Sequence, residues 1–287
     1  MSTTTMPSIT STAGAATLSA DAISYVCVLV RRQAAIELEA AKAYLIEARL
    51  APVARKHGFP TTAEMVCSLQ TKPRNDLQRQ VVEAMTTNET SFFRDAHPFE
   101  ALRTIVIPEM TKQSAGRREL NIWSAACSTG QEAYSIEMLL CEHFPDLASW
   151  NVQIHGTDLS EDVLAKARTA RFSQIEMNRG LPAMMLAKYF RRDGMQWELV
   201  PQVRSRTRFS KLNLIETWPP MPAMDVVFLR NVLIYFSSDT KRLILQKIRK
   251  IMAPRAVLFL GAAETTMGID DSFERVLTAS SVFYRLK

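Results

Sequence analysis

From about residue 19 to residue 85, apolar positions recur at helical spacing and turn residues are few. The segments ISYVCVLVRRQ, AAIELEAAKAYLIEARL, TTAEMVCSLQ and NDLQRQVVEAMT predict four helices, making a small all-α domain over 19–85. His57-Gly58-Phe59-Pro60 is a stop signal, and Thr61 or Thr62 can cap the helix that follows. Pro52 is expected to kink or restart the second helix. Residues 1–18 are rich in Ser, Thr and Ala and read as a disordered tail.

After residue 117 the texture changes. ELNIWSAA, NVQIHGTD, MDVVFLRN and AVLFLGAA are short apolar strands. Between them lie the helices GQEAYSIEMLLCEHF, SEDVLAKARTA and TKRLILQKIRKIM, and Ser160 is placed to cap the second of these. This alternation predicts an α/β domain over 119–287, a parallel sheet covered on both faces. SSVFYRLK reads as a further strand, antiparallel at or near an edge. Residues 172–212 interrupt the alternation with a short helix, LPAMMLAKYF, and a small antiparallel β excursion. In VRSRTRF, Arg204, Arg206 and Arg208 would share one face of a strand. Residues 86–118 are left as a helical linker joining the two domains.

Composition narrows the function classes. The 287 residues carry a formal net charge of +6 and a pI near 9.2, which favours an acidic partner, nucleic acid or protein. No apolar run is long enough to cross a bilayer, so no membrane insertion is expected, and the N-terminus lacks the pattern of a signal peptide. Cys27, Cys67, Cys127 and Cys141 are scattered, as are the four histidines. Neither a metal site nor a disulfide framework is expected, and a reducing cytoplasm fits. Aromatic residues do not interleave with the basic stretches, which argues against nucleic acid.

In open parallel sheets, ligands bind beyond the carboxyl ends of the strands. The first strand runs into SAACSTGQE, whose single glycine fits neither the dinucleotide fingerprint nor a phosphate-binding loop. The second ends in Asp158, which suits either the two hydroxyls of a ribose or the cap of the next helix. Asn213-Leu214 and Asn231-Val232 follow later strands, and an amide there can donate and accept at once. A ribose-bearing ligand without phosphate satisfies this set, and S-adenosylmethionine is one.

TTNETSFFRD, WSAACSTGQEAYSI, GTDLSEDVLAKAR and FLRNVLIYF, in that order behind an all-α unit, resemble the CheR family of chemotaxis receptor methyltransferases from about residue 20 to the C-terminus. The resemblance implies a class I, Rossmann-like S-adenosylmethionine domain behind a substrate-recognition domain. It also implies a protein-glutamate O-methyltransferase that esterifies glutamates on the cytoplasmic helical domain of chemoreceptors and releases S-adenosylhomocysteine. A methyltransferase acting on another acidic partner, or an adaptor that binds the cofactor without catalysis, are the competing readings. The cofactor contacts carried over are Asn88, Thr90, Arg94, Glu132, Asp158, Asn213, Leu214, Asn231 and Val232. Phe92 and Phe93 are then packing anchors for the polar residues around them.

Arg94 could steer the substrate carboxylate, hold the cofactor's carboxylate, or do both, while Glu132 suits the cofactor's ammonium. Tyr235 either positions the substrate carboxylate or is a core tyrosine, and Asp225, at the start of its strand, reads as structural. Lys42, Arg49 and Lys56 recur every seven residues and form one stripe if their helix is unbroken. In the family the corresponding helix contacts the receptor. With Arg204 and Arg206, the stripe is the candidate substrate-binding surface. Some family members also dock a receptor tail peptide on the β excursion. The excursion is several residues shorter here, which argues against tail docking. GAAET, at 261–265, departs from the Gly-x-Ser-Glu pattern associated with the family.

Overall fold

The computed structural model describes residues 18–278 and 281–287, so the tail expected over 1–18 lies, Leu18 apart, outside the described residues. The chain forms two compact units, one holding residues up to Gln33 together with Leu38–Met85, the other holding Ala34–Glu37 and Thr86–Lys287.

The first unit is helical: α1 (Ala20–Ala34), a 3-10 turn (Ala40–Lys42), α2 (Ala43–Lys56), α3 (Thr62–Thr71) and α4 (Asn75–Met85). Val26, Leu29 and Val30 of α1, Ile46 and Leu50 of α2, Met65 and Leu69 of α3, and Leu77 and Val81 of α4 are buried. Tyr25 donates its hydroxyl to the Leu69 carbonyl and accepts from the Gln78 amide. Thr61 Oγ1 accepts from the Glu64 N–H and caps α3. The helix boundaries depart from expectation here. The helix expected over 34–50 breaks at Ala35, which takes a positive φ of 53°, because Ala35 and Ile36 pack on the core of the second unit. Pro52 does not restart α2 but lies inside it. The burial of Ile46, Leu50 and Ala54 along one face offsets the amide bond that proline forfeits.

The second unit opens with a segment, 86–96, that has no regular structure. The linker expected to be helical over 86–118 is so only from α5 (His97–Ala101), through a π turn (Leu102–Val106), to α6 (Ile107–Gln113). There follow β1 (Glu119–Ala125), α7 (Gln131–His143), β2 (Asn151–Asp158), α8 (Glu161–Thr169), β3 (Arg171–Ser173), α9 (Gln174–Met177) and α10 (Ala183–Tyr189). Then come β4 (Phe190–Asp193), β5 (Gln196–Leu199), α11 (Pro201–Arg204), β6 (Thr207–Lys211), β7 (Met224–Leu229), α12 (Ser238–Ile251), β8 (Met252–Leu260), β9 (Phe273–Leu277) and β10 (Val282–Leu286).

The main sheet has seven strands in the order β6-β2-β1-β7-β8-β10-β9. The first five are parallel, and β10 runs antiparallel to both β8 and β9. Alternate residues feed two cores. Leu120, Ile122, Val226 and Phe228 pack with Leu102, Val106 and Ile136 on one face. Trp123, Ala125, Val227 and Leu229 pack with Ile244, Leu245 and Ile248 on the other. Burial on both faces is why residues 226–229 of β7 read as an apolar run.

The β excursion is a separate three-stranded antiparallel sheet in the order β3-β5-β4. It ends at Leu199, earlier than expected, because Thr207–Lys211 pairs in parallel with β2 as a strand of the main sheet. Arg204, Arg206 and Arg208 therefore do not share one strand face. Arg204 ends α11, Arg206 lies in the connection, and only Arg208 is in a strand. Pro201 at the first turn favours helix over strand there.

Phe92 ties the irregular segment to this excursion. It is fully buried and packs edge-on against Phe172 and Phe190, with ring centroids 5.0 and 5.6 Å away. Gly180 sits so close that a Cβ there would lie 2.0 Å from the Phe92 carbonyl oxygen. Gly180→Ala should cost about 3 kcal/mol or more in denaturant melts, whereas Gly194→Ala should cost only about 1 kcal/mol. Gly194 has a similar positive φ with nothing within 4 Å of the added carbon.

On α7, the fully buried Glu137 accepts a contact from Cys141 Sγ and faces Arg206 at 3.5 Å, and its second oxygen has no partner among the described residues. Burial pushes this carboxyl from 4.5 up to about 7, against the pull of Arg206. A folded-state value above the unfolded one means that its contribution to stability is full below 4.5 and is lost as pH rises through about 7. Glu137→Gln should therefore gain about 2–3 kcal/mol relative to the parent chain between pH 5 and pH 8, read from melts at each pH.

Candidate functional site

A cavity of about 850 Å³, its open mouth included, lies at the carboxyl ends of the parallel strands. That is the place expected of a small-molecule site in such a sheet. Asn88, Thr90, Arg94, Glu132, Asp158, Asn213, Leu214, Asn231, Val232 and Tyr235 all line it. Lys42, Arg49, Lys56, Arg204, Arg206 and Arg208 do not. Arg49 donates to the Met85 carbonyl and Lys42 pairs with Glu39. Arg204 pairs with Glu198, and Arg206 donates to the Leu147 carbonyl.

The strand ends are organised by carboxylates that accept backbone N–H groups. Asp158 accepts from the Ser128 N–H at 2.8 Å and the Ser160 N–H at 3.0 Å, which fixes the loop after β1 against the end of β2. Ser128 Oγ in turn donates to the Asn88 carbonyl at 2.8 Å, holding the TTNETSFFR stretch over the loop. Gly130 caps α7 with a φ of 90°, and a Cβ there would meet Ala167, Phe209 and Tyr134 at 3.1–3.2 Å.

Glu132, in the first turn of α7, accepts from Ser124 Oγ at 2.7 Å and from Arg230 at 2.9 Å. Arg230 directly follows β7 and its side chain is almost wholly buried. It also binds Asp95 and the Arg94 carbonyl, both at 2.8 Å. Phe93 and Asp95, on either side of Arg94, both take positive φ, of 48° and 54°, a conformation that costs of order 1–3 kcal/mol each outside glycine. Arg94 Nη1 donates to the Glu89 carbonyl at 3.0 Å. Cys127 also lines the cavity, but burial first and the nearby Asp158 and Glu132 second push its thiol well up, so it is no thiolate nucleophile.

Sequence reasoning did not assign Arg230, Ser128 or Glu264 to the site. The one signal for Arg230 is a charge directly after the apolar run 226–229. Glu264 lies in the segment that departs from the family pattern, yet its carboxylate accepts from the N–H groups of Gly261, Asn231, Val232 and Ile234 at 2.7–3.3 Å. It thereby holds Asn231 at a φ of 58°. Glu264→Gln would turn an amide donor toward N–H donors and should cost about 2 kcal/mol in melts, with a matching loss of ligand affinity at Asn231.

The described chain has known relatives. Residues 88–282 match the model for the CheR methyltransferase, SAM binding domain, and residues 21–86 match that for the CheR methyltransferase, all-alpha domain. The chain is 39% identical over 264 residues to chemotaxis protein methyltransferase Cher2 of Pseudomonas putida, covering 91% of this chain and 96% of that protein. It is 40% identical over 265 residues to chemotaxis protein methyltransferase 1 of Pseudomonas aeruginosa, with the same two coverages. The protein of that name from Vibrio cholerae is 35% identical over 265 residues, covering 91% of this chain and 95% of its own. With both of its units matched, the chain belongs to the CheR family of S-adenosylmethionine-dependent methyltransferases.

Proposed function

We propose that this chain transfers a methyl group from S-adenosylmethionine to glutamate side-chain carboxylates of chemotaxis receptors. The single observation that carries the reading is that the ten cofactor and catalytic candidates line one cavity, in a chain whose relatives are named chemotaxis protein methyltransferases. The donor set fits the cofactor. Asp158 suits the ribose hydroxyls, Glu132 the ammonium and Arg94 the carboxylate, while Asn88, Thr90, Asn213 and Asn231 supply amide and hydroxyl contacts and Leu214 and Val232 apolar ones.

Bound S-adenosylmethionine supplies a methyl carbon on a sulfonium leaving group. A glutamate side chain, with an ordinary pKa of about 4.3, is already a carboxylate at neutral pH. No proton has to leave it, so this chain needs no general base. Its residues have to align the attacking oxygen with the methyl carbon and keep water out, at about 3–3.5 Å before attack. Arg94 offsets the incoming negative charge, and Tyr235, on the cavity wall, donates its hydroxyl to the substrate carboxylate. In the all-α unit, Arg49 and Lys56 lie seven residues apart on the unbroken α2 and offer a basic stripe to an acidic receptor helix. Lys42 precedes that helix and flanks the stripe.

Purified protein incubated with methyl-labelled S-adenosylmethionine and receptor-containing membranes should place label on the receptor band that alkali releases, as a carboxyl ester requires. Arg94→Ala should reduce that label by about 100-fold. Alkali-stable label would exclude a glutamate ester. Cofactor binding without label on any receptor of the same cell would replace the transferase with an adaptor.

A further inference from the structure

We propose that Arg230 is a positioning residue for the methyl transfer, holding the Arg94 turn and Glu132 at a fixed spacing around the amino-acid end of S-adenosylmethionine. This rests on the reading that Arg94 and Glu132 flank that end. The Arg230 side chain is 2% exposed, and its guanidinium reaches three groups from two other segments. Nη1 donates to Glu132 on α7, and Nη2 donates both to the Asp95 carboxylate and to the Arg94 carbonyl. Its Cζ lies 5.9 Å from the centre of the Phe99 ring. Nε is buried with no partner among the described residues, and the polar contacts of this group are with the protein groups it braces.

Fold stability alone does not account for the arrangement. A buried ion pair is a weak stabiliser, and an apolar side chain of similar volume would leave no N–H unsatisfied. What the guanidinium does accomplish is geometric. The turn it holds has two non-glycine residues at positive φ, Phe93 and Asp95, with Arg94 between them. α7 fixes both sides of that turn: Ser135 Oγ accepts the Phe93 N–H at 2.9 Å, and Glu132 reaches Asp95 and the Arg94 carbonyl through Arg230. A planar fork can hold a carboxylate on one arm and two further oxygens on the other, whereas the ammonium of lysine is a single point. With the fork in place, the direction of the Arg94 side chain and the position of the Glu132 carboxylate are set together before any ligand arrives.

The test compares Arg230→Lys, Asp95→Asn and the double variant in the full chain. Affinity for S-adenosylhomocysteine is measured by calorimetry, and kcat and KM are measured with receptor membranes. Arg230→Lys should weaken S-adenosylhomocysteine binding by about tenfold and lower kcat by about 100-fold, leaving the KM for receptor unchanged. Asp95, whose side chain is 46% exposed, can lose its charge without burying an unpaired one, so Asp95→Asn should fold. It should weaken binding by about fivefold, and the double variant should be no worse than Arg230→Lys, because both changes break one brace. A lower melting temperature with affinity and kcat within about twofold of the parent chain would make Arg230 merely structural. If Arg230→Lys does not fold, Asp95→Asn alone decides by the same criterion. A parent chain that fails to bind S-adenosylhomocysteine would overturn the functional reading itself and this inference with it.

Discussion

Backbone N–H groups left over where parallel strands end must find acceptors, and in this chain carboxylates supply them. Asp158 takes the N–H groups of Ser128 and Ser160. Glu264 takes four, from Gly261, Asn231, Val232 and Ile234. At the opposite pole Asp225 takes the Asn121 N–H and pairs with Arg117. A buried amide without a partner costs as much as a lost hydrogen bond, so these three side chains determine which loop conformations the sheet can carry. The cavity is what remains between loops fixed in this way. The residues lining it inherit their rigidity from acids that mostly point elsewhere.

The TTNETSFFR stretch shows how a segment with no regular structure can still be stiff. Its apolar residues point into two different cores. Phe92 enters the aromatic cluster of the excursion, and Phe93 packs edge-on against Phe99 with ring centroids 5.2 Å apart. Hydrogen bonds to Ser128 and Ser135 pin the backbone between them. Asn88, Thr90 and Arg94 project from a strip of chain clamped at both margins, so a loop can present polar groups with the precision of a helix face.

Much of this was legible in the sequence, and the failures share a cause. Strand and helix alternation, the cap at Thr61 and the structural place of Asp225 could be read from residues close in the chain. So could the ordered motifs that define the cavity wall. What could not be read depends on partners far away. Ala35 leaves the helical conformation because of packing on a sheet that begins over eighty residues later. The VRSRTRF run looks like one strand until Thr207–Lys211 is seen paired with β2 and Pro201 starting a helical turn. β9, only five residues long, is defined by its pairing with β10. Arg230 looks like the end of a strand, and its work appears only once Asp95 and Glu132, 135 and 98 residues away in the chain, are beside it.

The order β6-β2-β1-β7-β8-β10-β9 leaves β6 and β9 as the two outer strands of the main sheet. Open strands are templates on which other chains can add. β6 is short and carries Arg208 and Lys211, both exposed, and β9 carries Glu274 and Arg275, also exposed. Any strand added at either margin would have to bring its own side chains against these charges. The sheet is thereby guarded against edge-to-edge aggregation at both of its margins, and the apolar strands that give it a core do not become a liability at high concentration.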